Sequence, residues 1–275
     1  MTVLDALRAG QARLSAVPDP RLDAEYLLAF VLDMPRLNML VNKQRILTAQ
    51  EAAAYDALLS RRENREPLQY ILGTQSFMGL PFKTDARALI PRNDTEALCE
   101  AALSFLKSGQ TALDLCTGSG ILGITLKKKI PGAAVTASDI SADALSLARE
   151  NAAALHADVR LLQGDLFAPV AGERFDLIVS NPPYIPDILR GKMQSEVEME
   201  PALALFAGPD GLDFYRRIAR EAPAHLNEGG RLLLEIGDDQ FDAVRALLIP
   251  AFEPVSLIRD MNGKPRVVQA ERKNA

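Results

Sequence analysis

Cysteine and histidine are scarce in this 275-residue chain: Cys99 and Cys116 lie far apart, and His156 and His225 are its two histidines. Two separated cysteines make no disulfide framework, so a cytoplasmic location is expected. Two histidines without a cluster of further ligands argue against zinc, and no metal site is expected. No apolar run reaches the length of a membrane span. The segment Met1-Thr2-Val3-Leu4-Asp5 lacks the basic stretch and apolar core of a secretory signal, and no membrane partner is expected. Positive charge is in deficit: 31 Lys plus Arg stand against 36 Asp plus Glu, a net charge of -5. A chain of that sign does not coat nucleic acid by bulk electrostatics, so no direct nucleic-acid partner is expected. What remains is ordinary globular composition with length for a sizeable core.

Residues 1–66 read as a helical domain, a small bundle with no catalytic chemistry of its own; a separate domain in that position often serves substrate recognition, which is the expected role. Leu22, Tyr26, Leu27, Phe30 and Val31 recur at helical spacing. Asp19-Pro20 reads as a cap followed by a first-turn proline. Thr48 and Glu51 stand at capping-box spacing ahead of a helix running towards Arg65. Residues 67–90 mix Tyr70, Ile71, Phe77, Phe82 and Leu89 with Gly73, Gly79 and Pro81, which predicts a short β-hairpin linker. Residues 91–275 form the third part, the expected catalytic domain. Strands are expected at 111–116, 134–139, 159–164, 175–180 and 231–236, and helices at 121–129, 142–153, 213–225 and 240–248. Strands at 255–259 and 267–270 flank an Asn262-Gly263 turn. Such alternation predicts an α/β fold: a Rossmann-like, mostly parallel sheet with helices on both faces and one terminal antiparallel strand.

The first strand runs into Leu113-Asp114-Leu115-Cys116-Thr117-Gly118-Ser119-Gly120. Glycines at a strand-to-helix turn let a ligand approach the backbone, and the helix N-terminus beyond offers free N–H groups. Gly118-x-Gly120-x-x-Gly123 with Asp139 downstream suits two cofactors. A dinucleotide enzyme would seat a pyrophosphate on the helix N-terminus; a methyltransferase would lay the methionine part of S-adenosylmethionine across the same turn. Asp114, just before the glycines, favours the second, because a carboxylate faces a cationic amino group and repels a pyrophosphate. Asp139 can accept from ribose hydroxyls in either case. Asp165, after the third strand, is placed to accept from an adenine amino group, with Leu166 or Phe167 against the ring. Asp139 could equally cap a helix through Ser141, and Asp165 could be a turn residue.

A second motif, Asn181-Pro182-Pro183-Tyr184, follows the apolar run Phe175–Ser180. In an open α/β sheet that position is the carboxyl end of a strand, where ligands bind. Two prolines fix two φ angles and remove two backbone donors. An array of acceptors is left, the Asn181 oxygen and neighbouring carbonyls, followed by an aromatic ring. Such an array suits a planar group bearing an NH2. Asn-Pro and Pro-Pro are also ordinary turn punctuation.

Together, Leu113–Gly120, Asp139, Gly164-Asp165 and Asn181–Tyr184 resemble the class I S-adenosylmethionine-dependent methyltransferases that act on planar amino groups. The stretches Arg65–Gly73, Leu89–Glu96, Glu198–Leu203 and Gly208–Tyr215 are similar to those of the HemK/PrmC family. The resemblance implies a protein-(glutamine-N5) methyltransferase acting on the Gly-Gly-Gln loop of peptide chain release factors in translation termination. It implies S-adenosyl-L-methionine held by Asp114, Cys116, Thr117, Gly118, Ser119, Gly120, Asp139, Asp165, Leu166 and Asn181. Asn181, Pro182 and Tyr184 would be catalytic, and with Pro183 would bind substrate. Release factors are the expected partners of a monomer. A ribosomal protein glutamine, DNA adenine, or a non-catalytic scaffold role are the alternatives. Asn93 stands where the family usually has a second proline, and Cys116 where it usually has glycine. Arg92 and Glu96 would line a channel or form a surface ion pair.

Overall fold

The structure, a computed structural model, describes residues 1–273. The chain divides into two compact units, one of residues 1–74 with 194–199 and one of residues 75–193 with 200–275.

The first unit is helical: α1 (Val3–Arg13), α2 (Pro20–Val31), α3 (Arg36–Val41), α4 (Ala49–Glu63) and α5 (Leu68–Leu72). Both α1 and α4 open with reciprocal capping boxes, Thr2 with Asp5 and Thr48 with Glu51, each satisfying two otherwise orphaned donors. Asp19 makes no side-chain cap; Pro20 at the first position has no N–H to satisfy. On α2 the buried face is Ala24, Leu27 and Leu28, whereas Leu22, Tyr26 and Phe30, four residues apart, share the exposed face. Helix α5 falls inside the stretch expected to be hairpin. Pro67 starts it and Gly73, at φ +70°, ends it in the left-handed conformation.

The short helix Ser195–Glu198 belongs to this unit through charge. Arg62, 4% exposed, donates to Asp23 Oδ2 at 2.6 Å, Glu196 Oε1 at 2.9 Å and the Glu66 carbonyl at 3.1 Å. Arg65 binds both oxygens of Glu196, at 2.6 and 2.9 Å. Burial pushes the Asp23 carboxyl up even beside Arg62, so removing the guanidinium leaves an uncompensated buried charge.

The second unit begins in the hairpin β1 (Thr74–Phe77) and β2 (Leu80–Lys83). Its turn residues Met78 and Gly79 both have positive φ, 51° and 79°, as a two-residue turn of matching twist requires. Then come α6 (Glu96–Phe105), β3 (Thr111–Leu115), α7 (Ile121–Lys129), β4 (Ala134–Asp139), α8 (Ala142–Ala154), β5 (Arg160–Gln163) and β6 (Phe175–Ser180). After these follow α9 (Asp213–Glu221), β7 (Leu226–Glu235), α10 (Phe241–Leu248), β8 (Phe252–Arg259) and β9 (Pro265–Arg272). The seven-stranded sheet runs β5-β4-β3-β6-β7-β9-β8. All neighbours pair in parallel up to β7, and β9 is the one antiparallel strand, between β7 and β8.

Alternate residues of the central strands feed two cores. Leu113, Leu115, Ile178, Leu232 and Leu234 pack with Tyr215 and Ile218 of α9 and Val244 of α10. Ala112, Leu177, Val179 and Leu233 pack with Leu98 and Ala102 of α6 and Leu122 and Leu126 of α7. A sheet covered on both faces explains why these strands read as unbroken apolar runs.

Arg62→Met is expected to destabilise the helical unit by about 3–5 kcal/mol. Faster amide hydrogen exchange in α2 and α4 under native conditions is the measurement; unchanged protection there would refute the role given to the guanidinium.

Candidate active site

The strand order reverses direction between β3 and β6, with β4 and β5 to one side and β7 to the other. Outside the carboxyl ends of the strands at such a switch point an open α/β sheet forms its crevice. Leu115 pairs with Ser180, and Ser180 Oγ donates to the Leu115 carbonyl at 2.8 Å. The two loops that leave these strands therefore start side by side.

Leaving β3, the chain turns sharply. Cys116, Gly118 and Gly120 have φ of 57°, 57° and 86°. At Gly120 a Cβ would meet Ile124 Cδ1 at 2.7 Å and Ala148 Cβ at 3.2 Å, whereas around Gly118 the space is open. Gly120 thus lets α7 close on the loop, and Gly118 leaves a cradle for a ligand. Cys116 holds a left-handed conformation without being glycine, which costs on the order of 1 kcal/mol. Burial pushes its thiol up, away from the thiolate form.

Two carboxylates brace the loop from below. Asp114 Oδ2 accepts from Thr117 Oγ1 at 2.6 Å and Gly123 N at 2.9 Å. Its Oδ1 is buried and has no partner, and burial pushes the carboxyl up to about 7. Asp139 Oδ2 accepts from Gly118 N and Oδ1 from Ser141 N, both at 2.9 Å. Each Asp139 oxygen keeps a further lone pair for a ligand. The cap of α8 is Ser141, whose Oγ accepts from Ala144 N at 3.1 Å, so Asp139 holds the turn before the helix rather than capping it.

After β5, Asp165 Oδ2 accepts from Arg217 Nη2 of α9 at 2.7 Å. Leu166, 4% exposed, takes positive φ to turn its side chain in. After β6, Asn181 Nδ2 donates to Thr95 Oγ1 at 3.2 Å, which turns the oxygen end of the amide away from Thr95. Pro182 and Pro183 are buried. Tyr184 packs against the core, and burial pushes its phenol up to about 12. Its carbonyl accepts from Gln240 Nε2 at 3.0 Å, and a Cβ on Gly211 would come within 2.3 Å of that oxygen. Ile185 then bridges to Phe206. The Gly208–Gly211 turn is thus a glycine-dependent clamp on the far end of the tetrapeptide.

A single cavity unites these loops. Of the residues expected at the site, Cys116, Thr117, Gly118, Ser119, Asp139, Asp165, Leu166, Asn181 and Pro183 line it. Asp114, Gly120, Pro182 and Tyr184 do not. Asp114 lies under the glycine loop because Thr117 and Gly123 draw it there, so its expected contact with a cationic group is not made directly from the wall. Tyr184, half-buried, packs on the core cluster that contains Tyr215 and Val244. Arg92 lines the cavity and pairs with the buried Glu200, whose other oxygen accepts from Ile90 N at 2.8 Å. Glu96 instead accepts from Met78 N at 2.9 Å. Sequence reasoning gave no role to Thr95, Arg217 or Glu235. For Glu235 a signal existed: a carboxylate closing the apolar run Leu232-Leu233-Leu234. The open face of Gly118, the free lone pairs of Asp139 and the apolar wall of Leu122, Ala144 and Leu166 suit S-adenosylmethionine.

Residues 5–73 match the model of the PrmC N-terminal domain, and residues 94–196 that of the methyltransferase small domain. A release factor glutamine methyltransferase of Geobacter sulfurreducens is 44% identical over 97% of this chain and 94% of its own. A ribosomal protein uL3 glutamine methyltransferase of Xanthomonas campestris is 40% identical over 90% of this chain and 84% of its own. The crystal structure of a methyltransferase from Pyrococcus furiosus superposes with a TM-score of 0.54 at 23% identity, covering 73% of this chain and 92% of that one; it speaks for the fold alone.

The Asp114 carboxyl is raised on folding, so the folded state holds a proton that the unfolded state, near 4, releases. Its contribution is complete below about pH 4, falls as pH rises towards 7 and stays lost above. Asp114→Asn keeps an acceptor for Thr117 and Gly123 but cannot ionise. Urea midpoints across pH 4–8 are expected to fall less steeply in the variant than in the parent; equal slopes would show that Asp114 is not the group responsible.

Proposed function

The chain belongs to the release factor glutamine methyltransferase family, and we propose that it methylates the side-chain nitrogen of the glutamine in the Gly-Gly-Gln loop of peptide chain release factors. One observation carries this reading: the glycine loop and Asn181 line the same cavity, the Asn181 nitrogen being engaged by Thr95. A donor cradle and an acceptor for N–H groups thus face one space.

S-Adenosylmethionine supplies an electrophilic methyl group. Gly118, Ser119, Asp139, Asp165 and Leu166 would hold it, Asp139 through its remaining lone pairs and Leu166 through apolar contact. Asp114 acts beneath, by fixing Thr117 and the start of α7.

A glutamine amide nitrogen is a poor nucleophile because its lone pair is delocalised into the carbonyl. In this reading Asn181 Oδ1, on the cavity wall, and the Pro182 carbonyl, the next acceptor along the chain and not itself on that wall, accept its two N–H bonds. The two acceptors orient the nitrogen and favour its pyramidalisation. The prolines hold both acceptors in place without offering competing donors. Tyr184, anchored by the core and by Gln240, fixes the end of the loop. Rate enhancement then comes from positioning and electrostatics. No ionised general base is required, because the nitrogen becomes acidic as it is methylated.

The similarity to a uL3-modifying enzyme favours a ribosomal glutamine as the second reading. Incubation with labelled S-adenosylmethionine and purified release factor, then mass spectrometry of the Gly-Gly-Gln peptide, separates the two. Label on that glutamine is expected; label on uL3 instead would transfer the activity to the ribosomal protein. Asn181→Ala is expected to lower kcat by about 10²–10³, and near-normal turnover would refute the acceptor role.

A further inference from the structure

Glu235 has no part in the chemistry above, yet its placement is costly. It ends β7, is 1% exposed, and its Oε2 has no partner. A buried carboxyl in that condition destabilises a fold unless something else requires it. Its neighbours identify what that is. Ser180 pairs with Leu234, so the next residues along the two parallel strands, Asn181 and Glu235, sit together at the sheet edge. Thr95, 1% exposed, touches both: it accepts from Asn181 Nδ2 at 3.2 Å, and its hydroxyl faces the Glu235 carboxyl, which also takes a hydrogen bond directly from the Asn181 side chain and so holds the same amide end.

We propose that Glu235 and Thr95 are positioning residues that set the polarity of the Asn181 amide, Glu235 taking the Thr95 hydroxyl hydrogen so that Thr95 Oγ1 accepts from Asn181 Nδ2 and Asn181 Oδ1 is the atom presented to the substrate. This rests on the acceptor role of Asn181 proposed above. The logic is a count of hydrogens. An ionised carboxylate only accepts, and a hydroxyl has one hydrogen to give. If that hydrogen goes to Glu235, Thr95 has only lone pairs for Asn181, and the amide must offer its NH2. If Glu235 carries a proton, it donates to Thr95, whose own hydrogen is then free for Asn181 Oδ1. The amide can turn, and an NH2 would meet the substrate NH2.

The relay therefore needs the ionised form. Burial pushes Glu235 up to about 7; Thr95, Arg266 of β9 and Asn181 pull it down, and Asp94 pushes it up. Tyr184 and Tyr215 also face it, Tyr215 donating to the Glu235 carbonyl at 2.8 Å. Turnover is accordingly expected to rise with pH through the neutral range.

The test compares Thr95→Val, Thr95→Ser and Glu235→Gln in the full chain, measuring kcat on the methylated protein substrate and the Kd of S-adenosylmethionine by calorimetry. Thr95→Val is expected to lower kcat roughly 10–100-fold, up to the roughly 10²-fold that a small misplacement of a reacting group costs, with the Kd changed by no more than about twofold. Thr95→Ser, which keeps the hydroxyl, should recover most of it. Glu235→Gln should lower kcat and flatten its rise near pH 7. Unchanged kcat in Thr95→Val, equal losses in the Ser and Val variants, or a retained pH limb in Glu235→Gln would overturn the relay. Should Glu235→Gln fail to fold, the near-isosteric Thr95 pair decides alone. A loss in Asn181→Ala without a loss in Thr95→Val refutes the relay only. Full activity in Asn181→Ala refutes the acceptor role and the relay with it.

Discussion

The site depends on the parallel pairing of β3 with β6, which sets Leu115 opposite Ser180 and is tied by the Ser180 hydroxyl to the Leu115 carbonyl. These strands are 65 residues apart in sequence. Their register decides that a glycine-rich turn and a proline-rigidified turn open at the same level of the sheet. A slip of one residue would turn every side chain of a strand to the opposite face. The alternating layers, Leu113, Leu115 and Ile178 towards one core and Ala112, Leu177 and Val179 towards the other, guard against it.

Around that pairing the carboxyl edge of the sheet collects acidic groups in a water-poor setting. Asp114, Asp139 and Glu235 stand in or at the ends of β3, β4 and β7, and burial raises all three. Each is bound to a backbone N–H or set against a hydroxyl, so each shapes a loop as well as carrying charge. Glu200 does the same for the entrance, tying Ile90 and Arg92. The carboxylates act largely from behind the cavity wall, and the wall itself is backbone and apolar surface.

Much of this architecture is legible in the sequence, because its signals are local. The bounds of α7, β4 and β6 follow from glycine punctuation and apolar runs, and the α4 cap follows from Thr48 and Glu51. The two motif loops could be placed at strand ends for the same reason. What was not legible is set by distant partners. Leu68–Leu72 lies beside hairpin-like residues, yet Pro67 and Gly73 fence it into a helical turn. Leu22, Tyr26 and Phe30 have helical spacing but occupy the exposed face, since Ala24, Leu27 and Leu28 take the buried one. The Thr95 contact with Asn181 spans 86 residues and that of Arg217 with Asp165 spans 52, so no local pattern could announce either.

The helical unit takes in residues 194–199, and this bears on the order in which the chain acquires structure. The carboxylate that satisfies Arg62 and Arg65 follows their helices by more than 130 residues, as Glu196. A nascent chain therefore carries a nearly complete bundle whose buried guanidinium waits for its last partner. Contacts of such sequence separation close slowly, against the entropy of a long loop. The helical unit is thus finished well after its five helices are made, and a fragment ending at residue 74 would lack part of its own interior.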